Sequence, residues 1–139
     1  MSAKYLLDTD VVSEPLRPAP NDKILARLKR HQDELAIASI VWHELWFGCY
    51  RLPRSAKRVA IERYLTEVVA LSMPIVPYDE RAAAWHAAER ARLATAGKPP
   101  PFADGQIIAI AQVNSLSLVT LNASDYTNFQ GVKFEDWRA

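Results

Sequence analysis

Short apolar runs alternate with longer segments of helical periodicity along this chain. The runs are candidates for buried strands and occupy residues 5–7, 35–38, 75–76, 116–121 and 132–134. Apolar side chains recur at helical spacing in residues 22–31, 41–48, 55–71, 81–96 and 103–115. Because strands that alternate with helices form parallel sheets covered on both faces, this order predicts an α/β fold. We expect three layers, α/β/α, around a mainly parallel sheet of four to five short strands.

Polar residues and helix breakers mark the expected ends of several helices. Ser39 and Asp79 stand where side-chain N-caps are expected, before the helices that follow the second and third strands. Gly97 is expected to end the long alanine-rich helix. The prolines at 99–101 then form a rigid connection to the next helix.

Size and composition narrow the class of protein. The 139 residues, 50% of them hydrophobic, suit one domain over 1–139 with its own core. With 17 basic and 16 acidic residues, the net charge of +1 excludes a protein that coats nucleic acid by bulk charge. The single cysteine, Cys49, excludes an internal disulfide and a cysteine zinc site. No apolar run is long enough for a membrane span, and we expect a cytoplasmic protein without a membrane partner.

Acidic and amide residues follow the predicted strands. Asp8 ends the first strand, Glu44 lies early in the helix after the second, Asp104 opens the helix after the prolines, and Asn122 and Asp125 follow the fourth strand. Sites in open parallel sheets lie beyond the carboxyl ends of the strands, so we expect these residues at one edge. Clustered carboxylates repel one another unless a cation neutralises them. Oxygen ligands without Cys or His favour Mg²⁺ or Mn²⁺, which can activate a water.

Taken one at a time, these residues also have structural explanations. Asp8 could end a strand in a turn, Glu44 could lie on an exposed helix face, and Asp104 could cap its helix. Asn122 and Asp125 could form Asx turns. It is the combination that indicates a site.

Four segments of the chain resemble, in order, the motifs of the PIN-domain ribonucleases, and VapC-type toxins of bacterial toxin–antitoxin pairs above all. The segments are YLLDTDVVSE from residue 5, ASIVWHELWFG from 38, FADGQIIAIA from 102 and LVTLNASDYTNF from 118. The chain departs from the family pattern at Asp10, where Asn is usual, at Val41, where Thr is common, and at Tyr126, where Phe is common.

The resemblance implies a Mg²⁺- or Mn²⁺-dependent endoribonuclease that acts as the toxin of a type II toxin–antitoxin pair. It places Asp8, Glu44 and Asp104 in the acidic core that holds the metal, with Asn122 and Asp125 as further catalytic residues. Within that core, we expect Asp8 and Asp104 to hold the ion most directly and Glu44 to orient a metal-bound water or a second ion. Hydroxyl hydrogen bonds to ligands or water are expected from two supporting residues, Thr9 and Thr120.

The resemblance also implies two protein partners, a cognate antitoxin and a second copy of the chain. The antitoxin's tail is expected to lie across the acidic site and to insert a basic residue. An aromatic run around Glu44, formed by Trp42, Trp46, Phe47 and Tyr50, is too wide for one buried helix face and could contribute to either interface. The RNA backbone could contact a basic segment that includes Arg51, Arg54, Lys57 and Arg58, although a solvated helix face explains that segment equally well.

Three other classes share parts of this pattern. The residues Asp8, Asp10 and Val12 also fit the first motif of haloacid-dehalogenase phosphatases, but the lysine and acidic pair which those enzymes need would have to be Lys133, Glu135 and Asp136, at the chain end. A response-regulator receiver needs a lysine where this chain has Thr120-Leu121-Asn122. A catalytically silent interaction module with the PIN fold remains the third alternative.

Overall fold

A computed structural model describes residues 2–139, which form one five-stranded sheet flanked by helices. All of its strand pairs are parallel, and the strand order is β3-β2-β1-β4-β5. The strands are β1 (Tyr5–Leu7), β2 (Leu35–Ala38), β3 (Ile75–Val76), β4 (Ser117–Val119) and β5 (Phe134–Glu135). The predicted α/β class and parallel sheet are therefore confirmed, although β4 is shorter than expected and β5 begins two residues later.

The central strands are buried on both faces, which explains why they read as continuous apolar runs. Every residue of β2 is buried, and Leu6 and Leu7 of β1 have no exposed surface. Because β1 lies between β2 and β4, the residue that follows β1 lies at the centre of the carboxyl edge. Asp8 is that residue, and its backbone N–H donates to the carbonyl of Val119 at the end of β4 (2.9 Å).

The helices cover the sheet and follow the predicted segments closely. They are α1 (Thr9–Val12), α2 (Asp22–Arg30), α3 (Ser39–Tyr50), α4 (Ala56–Arg63), α5 (Ala70–Ser72), α6 (Glu80–Thr95) and α7 (Phe102–Val113). The predicted helix over 55–71 is interrupted, because a π-helical segment, Tyr64–Val69, joins α4 to α5. Single 3₁₀ turns lie at Glu14–Leu16 and Ala123–Asp125. Within residues 2–139, no helix is both long and apolar enough to cross a membrane.

Helix ends show where local sequence signals hold and where they fail. Asp79 caps α6 by accepting a hydrogen bond from the N–H of Ala82 (3.0 Å), and Gly97 follows α6 with a φ of 74°, as predicted. The predicted N-cap at Ser39 is wrong. Ser39 is the first residue of α3, Ala38 occupies the cap position, and no side chain caps the helix. The reason is that β2 leads into α3 without an intervening loop.

Candidate functional site

The Asp8 carboxylate is held on both of its oxygens. Oδ1 accepts a hydrogen bond from the backbone N–H of Thr9 (2.9 Å), because Asp8 is the N-cap of α1. Oδ2 accepts from the hydroxyl of Thr120 (2.9 Å) and from the hydroxyl of Tyr126 (3.2 Å). These three hydrogen bonds fix the orientation of the half-buried Asp8 carboxylate at the edge of the sheet.

Thr120 and Asn122 follow β4, at the edge of the sheet where the Asp8 carboxylate lies. The Thr120 side chain is fully buried, and its hydroxyl also accepts the N–H of Asn122 (3.0 Å). The side chain of Asn122 is exposed and donates to Oδ2 of Asp10 (3.4 Å) rather than to Asp8. The hydroxyl of Thr120 therefore bonds to a protein carboxylate, whereas the contact from Thr9 to Asp8 comes from its backbone; hydroxyl bonds from either residue to a ligand or water stay a prediction.

Asp104 and Asp125 complete a group of carboxylates with Asp8, called the acidic cluster below. Asp104 lies in the first turn of α7, and Asp125 ends the 3₁₀ turn after β4. Burial raises the pKa of Asp104 above its ordinary value, and the charges of Asp125 and Asp8 raise it further. The carboxyl groups of Asp125 and Asp8 therefore lie close enough to Asp104 to disfavour its ionised form. Asp104 and Asp125 also line one cavity together with Lys98.

Glu44 lines a different cavity from the one that Asp104 and Asp125 share. It is exposed on α3 and lines a second cavity, whose other residues are Ser39, Ile40, His43, Tyr78, Ala103 and Gln106. Ala103 and Gln106 flank Asp104 in sequence, so this second cavity opens beside the same turn of α7. The structure thus brings Glu44 to the helix that carries Asp104, but not into the cavity that Asp104 shares with Asp125.

The donor atoms of the acidic cluster suit a hydrated hard cation. No set of three or more His, Cys, Asp or Glu side chains in residues 2–139 is arranged as a ready metal cage. The two charged groups that act on Asp104 are both negative, so a cation would relieve their repulsion. Mg²⁺ retains several waters and needs only one or two direct carboxylates. An all-oxygen site with few direct ligands therefore fits Mg²⁺ or Mn²⁺.

Tyr126 contacts Asp8, and the sequence pattern did not predict this contact. Its side chain is 2% exposed, and its hydroxyl reaches across 118 positions of sequence to Asp8. Burial raises the pKa of this phenol far above its ordinary value, and the carboxylates of Asp8, Asp104 and Asp125 raise it further. The phenol therefore stays protonated and acts as a hydrogen-bond donor. The sequence feature that could have indicated this contact is the hydroxyl of Tyr126, at a position where members of the family commonly have Phe.

The first turn of α7 is set by close packing against α6. A Cβ atom added to Gly105 would lie 2.1 Å from Nε2 of His86, so only glycine fits here without a shift. The His86 ring is fully buried and bonds through Nδ1 to the hydroxyl of Tyr78 (2.8 Å). Burial lowers the pKa of His86, and the charge of Arg90 lowers it further, which favours the neutral ring. This contact places the residue before Gly105, which is Asp104.

The predicted basic segment is only partly free for a ligand. Arg58 donates to Glu62 (3.0 Å) and to the carbonyl of Leu52 (3.2 Å), and it lies over the ring of Tyr50. The side chains of Arg51, Arg54 and Lys57 are exposed. Of the predicted aromatic run, Phe47 and Tyr50 are more than half exposed, whereas Trp42 and Trp46 pack against the core.

Comparisons with known proteins agree on one family. The PIN-domain family model matches residues 5–129. The chain is 33% identical over 135 residues to Toxin FitB of Neisseria gonorrhoeae, an alignment that covers 95% of this chain and 97% of that protein. It is 27% identical to the tRNA(fMet)-specific endonuclease VapC of Shigella flexneri, over 96% of this chain and 98% of that protein.

Solved structures give the same result. The crystal structure of FitAcB from Neisseria gonorrhoeae matches with a TM-score of 0.86 and 32% identity, covering 96% of this chain and 97% of that chain. DNA-bound VapBC from Salmonella typhimurium matches with a TM-score of 0.84 and 26% identity, covering 97% of this chain and 98% of that chain. These matches do not favour the phosphatase or receiver alternatives. The chain belongs to the PIN-domain family, among the toxins of the VapC and FitB type.

Proposed function

We propose that this protein is a Mg²⁺- or Mn²⁺-dependent endoribonuclease that acts as the toxin of a type II toxin–antitoxin pair. The observation that supports this most directly is the acidic cluster, in which Asp8 is held on both oxygens and Asp104 is repelled by two carboxylates. The names of the relatives support it as well, since they include an endonuclease that acts on a transfer RNA.

Each acidic residue has a distinct part in this proposal. Asp8 and Asp104 would hold the ion directly, Asp125 would contact its waters, and Glu44 would orient a metal-bound water or a second ion from the neighbouring cavity. A bound divalent cation supplies an activated water and stabilises negative charge that develops on a phosphate. Asn122, whose exposed side chain donates to Asp10, would contact the sugar–phosphate backbone.

The protein's own residues prepare the site without the ion. Thr9 and Thr120 fix the Asp8 carboxylate, so it has little freedom to lose when a ligand binds. The packing of Gly105 against His86 fixes the turn that carries Asp104. Lys98 lies among the residues that line the Asp104 cavity, where its ammonium group can attract a phosphate.

We further propose that the protein acts in the cytoplasm with two protein partners, as the solved complexes of its relatives suggest. A cognate antitoxin would block the acidic site with a basic side chain. A second copy of the chain would cover exposed aromatic residues, which include Phe47 and Tyr50 of α3 and Phe102 of α7. The exposed side chains of Arg51, Arg54 and Lys57 would bind the RNA backbone weakly and without sequence preference.

The test compares the purified protein with two isosteric variants. Asp8→Asn removes the charge of the best-held carboxylate, whereas Asp10→Asn removes an exposed charge two residues away. With bulk transfer RNA as substrate, we expect cleavage by the wild type and by Asp10→Asn in Mg²⁺ or Mn²⁺, and none in EDTA. We expect Asp8→Asn to lose cleavage while it stays folded by circular dichroism.

Two results would count against the proposal. Cleavage that persists in EDTA would overturn the metal dependence, and wild-type cleavage by Asp8→Asn would overturn the assignment of the site. If the wild type neither cleaves RNA nor binds Mn²⁺ in a calorimetric titration, the silent-module alternative would replace the nuclease. Expression in growing cells with RNA end-mapping then identifies the substrate.

A further inference from the structure

Tyr126 occupies a position at which a purely apolar ring would fill the same space. Its ring is buried and tilted against Phe134, with 6.1 Å between the ring centroids. The phenol hydroxyl adds a polar atom to this buried environment, where such an atom is unfavourable unless it is hydrogen-bonded. Its partner is Oδ2 of Asp8, at 3.2 Å. The hydroxyl therefore has a specific contact that phenylalanine could not make.

The contacts of Asp8 account for nearly all of its capacity to accept hydrogen bonds. An ionised carboxylate offers about four lone-pair sites, two on each oxygen. Thr120 and Tyr126 occupy both sites on Oδ2, and the N–H of Thr9 occupies one on Oδ1. One site on Oδ1 is left for a ligand. Removal of the Tyr126 hydroxyl would free a second site, on the other oxygen.

We propose that Tyr126 is a positioning residue, which acts with Thr120 to saturate Oδ2 of Asp8 so that this carboxylate presents Oδ1 to a divalent cation. This inference rests on the proposed metal dependence of the site. Outer-shell partners of this kind orient metal-binding carboxylates, and their loss typically weakens metal binding by about 10–100-fold. Because Tyr126 acts through Asp8 and does not contact substrate, its loss should change the metal requirement rather than the chemistry.

The experiment uses the full-length protein after removal of metal, with Mn²⁺ as the probe. Tyr126→Phe removes the hydroxyl and keeps the ring. The matched control is Tyr64→Phe, which removes another partly buried tyrosine hydroxyl, one that donates to the backbone carbonyl of Val12. Mn²⁺ affinity is measured by calorimetry, and RNA cleavage is measured as a function of Mn²⁺ concentration.

We expect Tyr126→Phe to bind Mn²⁺ about tenfold more weakly than the wild type. Its half-saturating Mn²⁺ concentration for cleavage should rise by the same factor, with near wild-type cleavage once Mn²⁺ saturates. Tyr64→Phe should match the wild type in both measurements. Unchanged Mn²⁺ affinity in a folded Tyr126→Phe variant would overturn the inference, as would a loss of cleavage that saturating Mn²⁺ does not restore.

Crystal structures of the metal-free wild type and Tyr126→Phe separate this inference from the proposed function. We expect the Asp8 carboxylate to turn in the variant, so that Oδ2 moves away from the hydroxyl of Thr120. An unchanged Asp8 side chain would overturn the positioning role even if metal binding is confirmed. If the wild type does not bind Mn²⁺, the metal dependence fails, and with it the role of Tyr126 towards a cation.

Discussion

Gly105 offers a direct test of how the fold places the acidic cluster, through the substitution Gly105→Ala. In most helices this change stabilises, by about 1 kcal/mol, because alanine has the higher helix propensity. Here the added Cβ would lie 2.1 Å from Nε2 of His86, against a closest approach of 3.0 Å in real structures. The buried ring or the helix must therefore move by about 0.9 Å, the difference between those two distances.

Overpacking of this kind costs about 1–3 kcal/mol, which matches or exceeds the gain in helix propensity. The matched control is Gly48→Ala in α3, because a Cβ there meets nothing within 4 Å. The difference in unfolding free energy between the two variants should be about 1–3 kcal/mol, equivalent to about 4–12 °C in Tm for a domain of this size. Calorimetry or thermal circular dichroism measures this difference.

A double variant isolates the contact itself. His86→Ala removes the ring that Gly105→Ala would meet, so the double variant should lose less stability than the sum of the single changes, with a coupling of about 1 kcal/mol or more. RNA cleavage should follow the same pattern, because a shift of about 1 Å beside Asp104 can lower activity by up to about 100-fold. Equal stability of Gly105→Ala and Gly48→Ala would refute the reasoning.

Three further predictions concern charge. The raised pKa of Asp104 means that its ionised form is disfavoured in the folded protein. Without metal, the wild type should therefore lose stability relative to Asp104→Asn as the pH rises above about 4. Mg²⁺ should reduce the difference in Tm between these two proteins. Replacement of Arg54 and Lys57 by alanine should weaken RNA binding and reduce the slope of log K against log salt by about 0.7 for each lost phosphate contact. In EDTA, Asp125→Asn should bind a short RNA about fivefold more tightly, since one carboxylate facing a phosphate costs about 1 kcal/mol in water.

These predictions have clear controls and contrary outcomes. Asp33→Asn removes the same charge from an exposed residue before β2, at the opposite edge of the sheet, and should not change RNA binding. Equal effects of the Asp33 and Asp125 substitutions in fluorescence anisotropy would mean that RNA does not approach the cluster. A Tm difference between Asp104→Asn and wild type that is constant with pH would contradict the raised pKa. An unchanged slope of log K against log salt would mean that Arg54 and Lys57 are solvated and do not contact the RNA.

Sequence alone predicted the fold well because buried parallel strands have a distinctive pattern. Continuous apolar runs such as Leu35–Ala38 are typical of strands that are covered on both faces, so the fold class and the parallel sheet followed from them, whereas the strand order came from the structure. Local signals failed where the three-dimensional context replaced them. Ser39 has the chemistry of an N-cap, but the strand leads directly into the helix. The π-helical segment Tyr64–Val69 has the same apolar spacing as an ordinary helix and could not be distinguished by period.

The sequence predicted that polar residues gather at one edge of the sheet, but not which of them contact one another. The expected parallel sheet placed the carboxyl ends of all its strands at one edge, and the structure adds that β1 pairs with β4, the strand that precedes Asp125. The hydrogen bonds that orient Asp8 come from side chains 112 and 118 positions away, at distances that no spacing rule encodes. Glu44 is the opposite case, because a motif match identified it while the structure places it in a neighbouring cavity.

The charge balance of the chain affects whether the metal ion or the RNA binds first. A net charge of +1 provides little long-range attraction for RNA. At the acidic cluster an RNA phosphate would meet three carboxylates, and Lys98 is the basic residue among those that line the Asp104 cavity. Three carboxylates outnumber the one ammonium group, so repulsion exceeds attraction at this site until a divalent cation neutralises the excess negative charge. Productive RNA binding should accordingly require the metal first, and a basic antitoxin side chain would compete with the metal and the RNA for the same charge.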